Sequence, residues 1–242
     1  MAYTSCPMKL SVVIPTLNEA ANIGALIQRL LGTPGVREVV VVDGGSTDGT
    51  LDLIRPPARL VRSEPGRGMQ LRAGAREATG DVLLFLHADV RPPQDVAAQI
   101  AGAIEAGYVG GNFRLRYPGG GTLGRWLETL APAYRSLGRY YGDSGLFVRR
   151  DVYEAYGGVP HVPVMEDIVF VRRMERAGPP AYLPGPMVSA ARRWEGRPLS
   201  TLLLWGCMQT AFALGASPWQ LARFYKVHSP GRTSKDRPGR AG

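Results

Sequence analysis

Residues 81–89 read DVLLFLHAD: one acid, five consecutive apolar residues, then His87, Ala88 and Asp89. Side chains along a strand point alternately to opposite faces, so a run that is apolar at every position fits a strand covered on both sides. KLSVVIPT (9–16), REVVVVDG (37–44) and ARLVRS (58–63) are further β-branched runs of strand length. Around them, EAANIGALIQRLL (19–31), TDGTLDLIR (47–55), GMQLRAGAREA (68–78) and PQDVAAQIAGAIEA (93–106) carry helical spacing. This β-α alternation predicts an α/β fold, a mostly parallel sheet flanked by helices. Ligands of such sheets bind beyond the carboxyl ends of the strands, where PTLNE (15–19), DGGSTDG (43–49) and HAD (87–89) all fall.

From about residue 109 the pattern changes. GGNFRLRYPGGGTLG (110–124) reads as a strand and a Gly-rich turn, followed by helices at 122–137, 151–157 and 166–177. Two apolar, aromatic-bearing C-terminal helices follow at 199–215 and 217–227, and the tail 229–242 has a disordered composition. The expectation is a single domain over 1–228, with a donor half at about 9–108 and an acceptor half at about 109–228. With 242 residues and 45% hydrophobic content, the chain can fill a large core.

The net charge of +9 comes from dispersed arginines, which suit phosphate groups or an anionic membrane surface. No helix-turn-helix, zinc-finger or RNA-recognition pattern accompanies them, so nucleic acid is not an expected partner. Cys6 and Cys207 lack metal-ligand or redox spacing, which fits a reduced, cytoplasmic setting. No signal peptide precedes MKLSVVIPTLNE, and LSTLLLWGCMQTAFALG (199–215) is short and polar-interrupted for a membrane span.

Three groups of residues carry chemistry. Asp43 ends a strand at a turn where Gly44 and Gly45 allow bending and Ser46 can cap; its carboxylate suits the N–H edge of a base or ribose hydroxyls, and a capped turn without ligand explains it equally. Asp89 lies where a buried strand reaches solvent, and a hard divalent cation bound to a diphosphate would prefer such an oxygen. His87 points to the same side. In MEDIVF (165–170) two acids open a helix: one satisfies the helix dipole, and the second suits a general base accepting a hydroxyl proton.

SVVIPTLNEA, VVVDGGSTDGT, GRGMQLRAGAREATGDVLLFLHADVRPP and MEDIVF together resemble a family 2 glycosyltransferase of the Rossmann-like GT-A fold, over roughly residues 9–178. GDSGLFVRRDVYEAYGGVP and SAARRWEGRPLSTLLLW extend the resemblance to a small bacterial branch, the arsenosugar-biosynthesis-type or selenodomain-associated glycosyltransferases. The resemblance implies a nucleoside diphosphate sugar donor, with Pro15, Thr16, Asn18, Glu19, Gly45 and Ser46 around the nucleotide, Asp43 at the base, and Arg67 and Gly68 near the donor. It makes Asp89 the last carboxylate of a DxD motif holding Mn2+ or Mg2+, and Asp167, beside Glu166, the base of an inverting transfer. Asp143 would face the acceptor pocket, and Arg193 and Trp194 would line the acceptor or contact the diphosphate. His87 departs from the family, standing where many relatives carry the first aspartate of DxD; imidazole either tilts the site toward manganese or only hydrogen-bonds. ARRWE lacks the glutamine of the QxxRW motif, which speaks against a processive polymerase.

Two motifs mislead. GGGTLG (119–124) satisfies GxGxxG but lies outside the first β-α unit, and GDSG (142–145) imitates a serine-protease segment in a chain of the wrong order. A nucleotidyltransferase would need a lysine-bearing phosphate loop that PTLNEAANIG does not have. A non-catalytic, membrane-associated nucleotide-binding module would not need Asp89, Glu166 and Asp167. The C-terminal helices, with Arg192, Arg193, Arg197, Arg223 and Lys226, suit core packing, a homodimer face, or peripheral contact with the inner face of a membrane and a lipid-linked acceptor.

Overall fold

The apolar runs become neighbouring strands in the computed structural model, which describes residues 8–136, 142–189 and 198–228. Strands β1 (Leu10–Thr16), β2 (Val36–Asp43), β3 (Arg59–Arg62) and β4 (Val82–Phe85) pair in parallel in the order β3-β2-β1-β4. Helices α1 (Ile23–Leu31), α2 (Arg67–Glu77) and α3 (Val96–Glu105) intervene or follow.

The two-sided burial is literal. Val12, Ile14, Val39, Val41 and Leu84 pack with Ile23, Leu26 and Leu30 of α1, while Val13, Val40, Val42, Leu83 and Phe85 face Leu71 and Ala75 of α2. Each such fully buried aliphatic side chain contributes about 1.5–3 kcal/mol relative to exposure, which commits the strands to this register. Helix α2 sits unusually close to the sheet because residue 74 is glycine: a Cβ there would overlap the side chains of Val13 and Val42.

The second half extends the sheet with mixed polarity. Strands β5 (Val90–Arg91), β6 (Gly110–Arg116), β7 (Leu146–Arg149) and β8 (Pro180–Ser189) complete the order β3-β2-β1-β4-β7-β6-β8-β5. Here β4–β7, β6–β7 and β5–β8 are antiparallel, and β6–β8 is parallel. Helix α4 (Gly121–Ser136) follows β6, α5 (Arg150–Ala155) follows β7, and α6 (Glu166–Glu175) precedes β8. Phe170 of α6 meets Phe85, the last residue of β4, edge-on with ring centroids 5.8 Å apart, and Tyr153 of α5 closes the trio. That aromatic contact sets the start of α6 over the carboxyl end of the sheet.

Three sequence expectations change. Residues 47–55 form only a 3-10 turn at Thr50–Leu53, because Asp48 engages the Thr50 backbone and hydroxyl instead of continuing a helix. The second change is the mixed polarity of the sheet, and the third is that strands β5, β7 and β8, which bring it, were not expected. Helices α7 (Pro198–Ala213) and α8 (Pro218–His228) lie where the apolar C-terminal segments were placed. Among the described residues, no helix is long and apolar enough to cross a membrane. The expected disordered tail, 229–242, lies outside the described residues.

Candidate active site

Strand register first aligns the motifs. Thr16 pairs with Asp43, Asp43 with Arg62, and Val13 with Phe85, so PTLNE, DGGSTDG and HAD leave the same edge. The first two loops are then stitched together. Asn18, in the left-handed backbone region (φ 55°), donates its N–H to Ser46 Oγ at 2.9 Å and accepts from the Thr47 N–H at 2.8 Å. Glu19 N–H donates to Thr50 Oγ1 and Ala20 N–H to Asp48 Oδ2. The Thr50 hydroxyl, its largest influence, holds the Asp48 carboxyl below its ordinary range.

Asp43 lies buried beneath this turn, with Oδ2 accepting from the N–H of Gly45 (2.8 Å) and of Ser46 (3.1 Å). Its carboxylate therefore caps the turn. Gly45 has φ 100° with open space around it, and Thr16 is buried. Gln70 completes the arrangement: its amide donates to the carbonyls of both Thr16 and Val42 at 2.8 Å, tying α2 to both strand ends. No sequence signal marks this glutamine among the polar residues of a helical segment.

The acids assemble around Arg67, the first residue of α2 and one helical turn from Gln70. Its guanidinium pairs through Nε with Glu166 and through Nη2 with Asp167 Oδ2 at 3.3 Å, while Nη1 lies 3.3 Å from His87 Nε2. Asp167 also accepts from the Gly142 N–H (3.1 Å) and the Ile168 N–H (2.9 Å). These side chains line a narrow cleft with apolar walls that include Leu71, Phe85, Leu146 and Val159. Burial works against the charge on Arg67, but Glu166 and Asp167 outweigh it and push its pKa above the ordinary value. Burial raises the Glu166 carboxyl; Arg67 opposes this, and the neighbouring Asp167 charge adds to it. Met165, immediately before the pair, adopts a left-handed backbone (φ 63°), a strained state for a residue with a side chain, of order 1–3 kcal/mol, which tertiary contacts must hold.

The remaining expected residues scatter more. Gly68 abuts the carbonyls of Pro160 and Val162, which a Cβ would approach to 3.2 and 3.3 Å, so it admits a close loop rather than facing a ligand. Asp143, beside Gly142, accepts from the Tyr117 hydroxyl at 3.1 Å. Ser144 is buried and accepts from Asn112 at 3.1 Å, an environment unlike a nucleophile's. Arg135 in turn donates to Asn112 Oδ1 and to the Pro180 carbonyl, a polar tie between α4 and the sheet that sequence reasoning missed. Arg193 and Trp194 lie outside the described residues.

A divalent cation fits this edge in one way. Among the described residues no group of three His, Cys, Asp or Glu side chains could form a protein cage. A half-buried single carboxylate, Asp89, in the turn between β4 and β5 suits a hard cation that takes its other oxygens from substrate phosphates and water.

Comparison with known proteins places this geometry. Glycosyltransferase AglE of Haloferax volcanii is 30% identical over 187 residues, 69% of this chain and 62% of its own length. A dolichol-phosphate mannosyltransferase of Pyrococcus furiosus is 34% identical over 142 residues, 54% of this chain and 38% of its own length. The chain thus spans less than two thirds of the curated relatives it matches. The mannosyltransferase PcManGT of Pyrobaculum calidifontis, solved with GDP-Man and Mn2+, shares the fold with a TM-score of 0.60 at 19% identity, covering 92% of this chain and 80% of that one. The architecture is the GT-A fold, a mixed sheet flanked by helices. The family model for glycosyl transferase family 2 matches residues 11–155, over half of the sequence, and the chain belongs to that family.

Proposed function

We propose that the protein transfers a sugar from a nucleoside diphosphate sugar to an acceptor hydroxyl, with inversion at the anomeric carbon. The observation that carries this reading is the cleft in which Arg67 holds the buried pair Glu166 and Asp167 beside His87, on the loop that leaves β4 and bears Asp89 two residues on. Asp89 would hold a Mn2+ or Mg2+ ion bound to the donor diphosphate, and that ion supplies neutralisation of the charge on the leaving group. The stitched loops at Asn18 and Ser46 form the nucleotide side, with Asp43 supporting the turn from below.

Of the two acids Asp167 is the base. Its side chain retains 11% exposure against 3% for Glu166, and backbone N–H groups of Gly142 and Ile168 hold its oxygens at the cleft. Asp167 takes the acceptor proton as the hydroxyl attacks, while Glu166 holds Arg67 in place. No covalent intermediate is needed, so positioning and electrostatics do the catalysis.

The acceptor is lipid-linked, and the protein works as one domain at the cytoplasmic surface of a membrane. In support, Leu203, Leu214, Trp219 and Phe224 on and beside α7 and α8 are exposed, with Arg223 next to Phe224, the mixture expected of helices lying on an anionic surface. The relative from Pyrococcus furiosus is named for dolichol phosphate.

The test is Asp167→Asn with GDP-mannose and UDP-glucose as donors, measuring nucleoside diphosphate release and donor affinity separately. Turnover should fall by about 100-fold or more with donor affinity held. Near-normal turnover would move the base to Glu166 or Asp143. Absence of salt-sensitive sedimentation with anionic vesicles would remove the membrane part alone.

A further inference from the structure

Within that reading, one residue stands against its family position. His87 occupies the first place of HAD, where a metal-binding aspartate would be expected, yet its Nε2 faces Arg67 Nη1 at 3.3 Å. A guanidinium has N–H donors and no acceptor. The contact is therefore a hydrogen bond only if Nε2 is bare, so the neutral ring carries its proton on Nδ1. The lone pair that would ligate a cation is directed at a cation already present.

The packing fixes this arrangement. His87 retains only 9% exposure, and Gly142 presses on it so closely that a Cβ at 142 would lie 2.8 Å from Nε2 and 3.8 Å from Arg67 Nη1. Gly142 also donates its N–H to Asp167. Arg67 thus has a distinct acceptor for each of its three nitrogens: Glu166 on Nε, Asp167 on Nη2 and His87 on Nη1. Removing the third frees the guanidinium to rotate about its stem and lets Asp167 Oδ2 follow it.

We infer that His87 is a positioning residue, the acceptor that orients Arg67 and through it Asp167, and that of the two polar residues of HAD it is Asp89, not His87, that serves the cation. This rests on the transfer reading for its kinetic consequences only. The ring's protonation pattern is a property of the protein by itself.

The experiment uses full-length protein labelled with 15N-histidine, in which the His87 signals are assigned by their loss in His87→Gln; the chain has three histidines. Long-range 1H–15N correlation spectra should show a neutral ring protonated at Nδ1, and pulsed EPR of the Mn2+–GDP complex should show no 15N coupling. Kinetically, His87→Leu should lower turnover of GDP-mannose or UDP-glucose by about 10- to 100-fold, the order expected when a catalytic group is displaced, without changing the Mn2+ concentration for half-maximal rate. His87→Gln, which keeps an acceptor, should recover most of that loss. A proton on Nε2, a 15N coupling to Mn2+, or recovery of His87→Leu by extra Mn2+ would each overturn the assignment. If the wild type turns over neither donor, the transfer reading fails, and the ring spectrum still decides the role of His87.

Discussion

Arg67→Met is the substitution whose cost the structure specifies most closely. It preserves much of the side-chain volume but deletes the cation between two buried carboxylates. Glu166 would then be 97% buried beside a like charge with nothing opposing it. Breaking one side of a buried ion pair costs about 3–5 kcal/mol, and because the Arg67 side chain is 33% exposed we take the lower end, about 3 kcal/mol at pH 8. In a chain of this length that is a fall in Tm of about 6–12 °C.

The pH dependence separates this account from simple loss of packing. Burial already raises the Glu166 pKa in the folded protein, and removing Arg67 raises it further. A carboxyl whose folded pKa lies above its unfolded value contributes stability that is complete below the unfolded pKa and is lost as pH rises through the folded one. The variant therefore recovers on acidification as Glu166 takes a proton, and its deficit should be smaller at pH 5 than at pH 8. Urea unfolding of both proteins at pH 5 and pH 8 gives the comparison. Equal deficits at the two pH values, or a deficit under about 1 kcal/mol at pH 8, would refute the reasoning that the acids depend on Arg67 for charge compensation.

Asp89→Ala should abolish metal-dependent binding of GDP or UDP while leaving Tm unchanged, and calorimetry showing undiminished affinity would exclude Asp89 from the metal site. Gly74→Ala should destabilise by about 1–3 kcal/mol despite the higher helix propensity of alanine, since its Cβ overlaps Val13 and Val42; a rise in Tm would contradict the close packing of α2. Glu38 accepts from Ser11 Oγ at 2.7 Å and from Thr79 Oγ1 at 2.8 Å; burial works against its charge, but these bonds and Arg59 outweigh it and lower its pKa. That contribution is present above the unfolded pKa and lost as pH falls through the folded one, so Glu38→Gln should cost about 1–3 kcal/mol at pH 7 and converge with the wild type near pH 3.

The parallel half was legible because burial on both faces writes itself into every position of the apolar runs VLLFL and VVVV. The antiparallel additions were not. β7 is four residues long, too short for periodicity to separate from the helix start that follows it. β8 contains Pro180, Pro184 and Pro186, which argue against an interior strand; it tolerates them because β5 covers only Val188 and Ser189, leaving the rest of that side unpaired in the sheet. At the site, the carboxylates announce themselves by type and position. What joins them does not, since Arg67, His87 and Gly142 meet only after α6 and β7 have packed against β4.

That late meeting bears on why the pair Glu166–Asp167 need not be redundant. Adjacent residues at a helix start project in different directions, and here one reaches Arg67 Nε from the interior while the other reaches Nη2 from the side of Gly142. The inner acid is almost fully buried against Arg67 Nε, a position that anchors the guanidinium and leaves little room for an acceptor hydroxyl. The outer acid accepts from Arg67 and from two backbone N–H groups that belong to separate elements, so Arg67 sets the position of its Oδ2 together with Gly142. The proposed division of roles rests on the positions of the two side chains around one guanidinium, directly after the left-handed backbone at Met165 that turns the chain into α6.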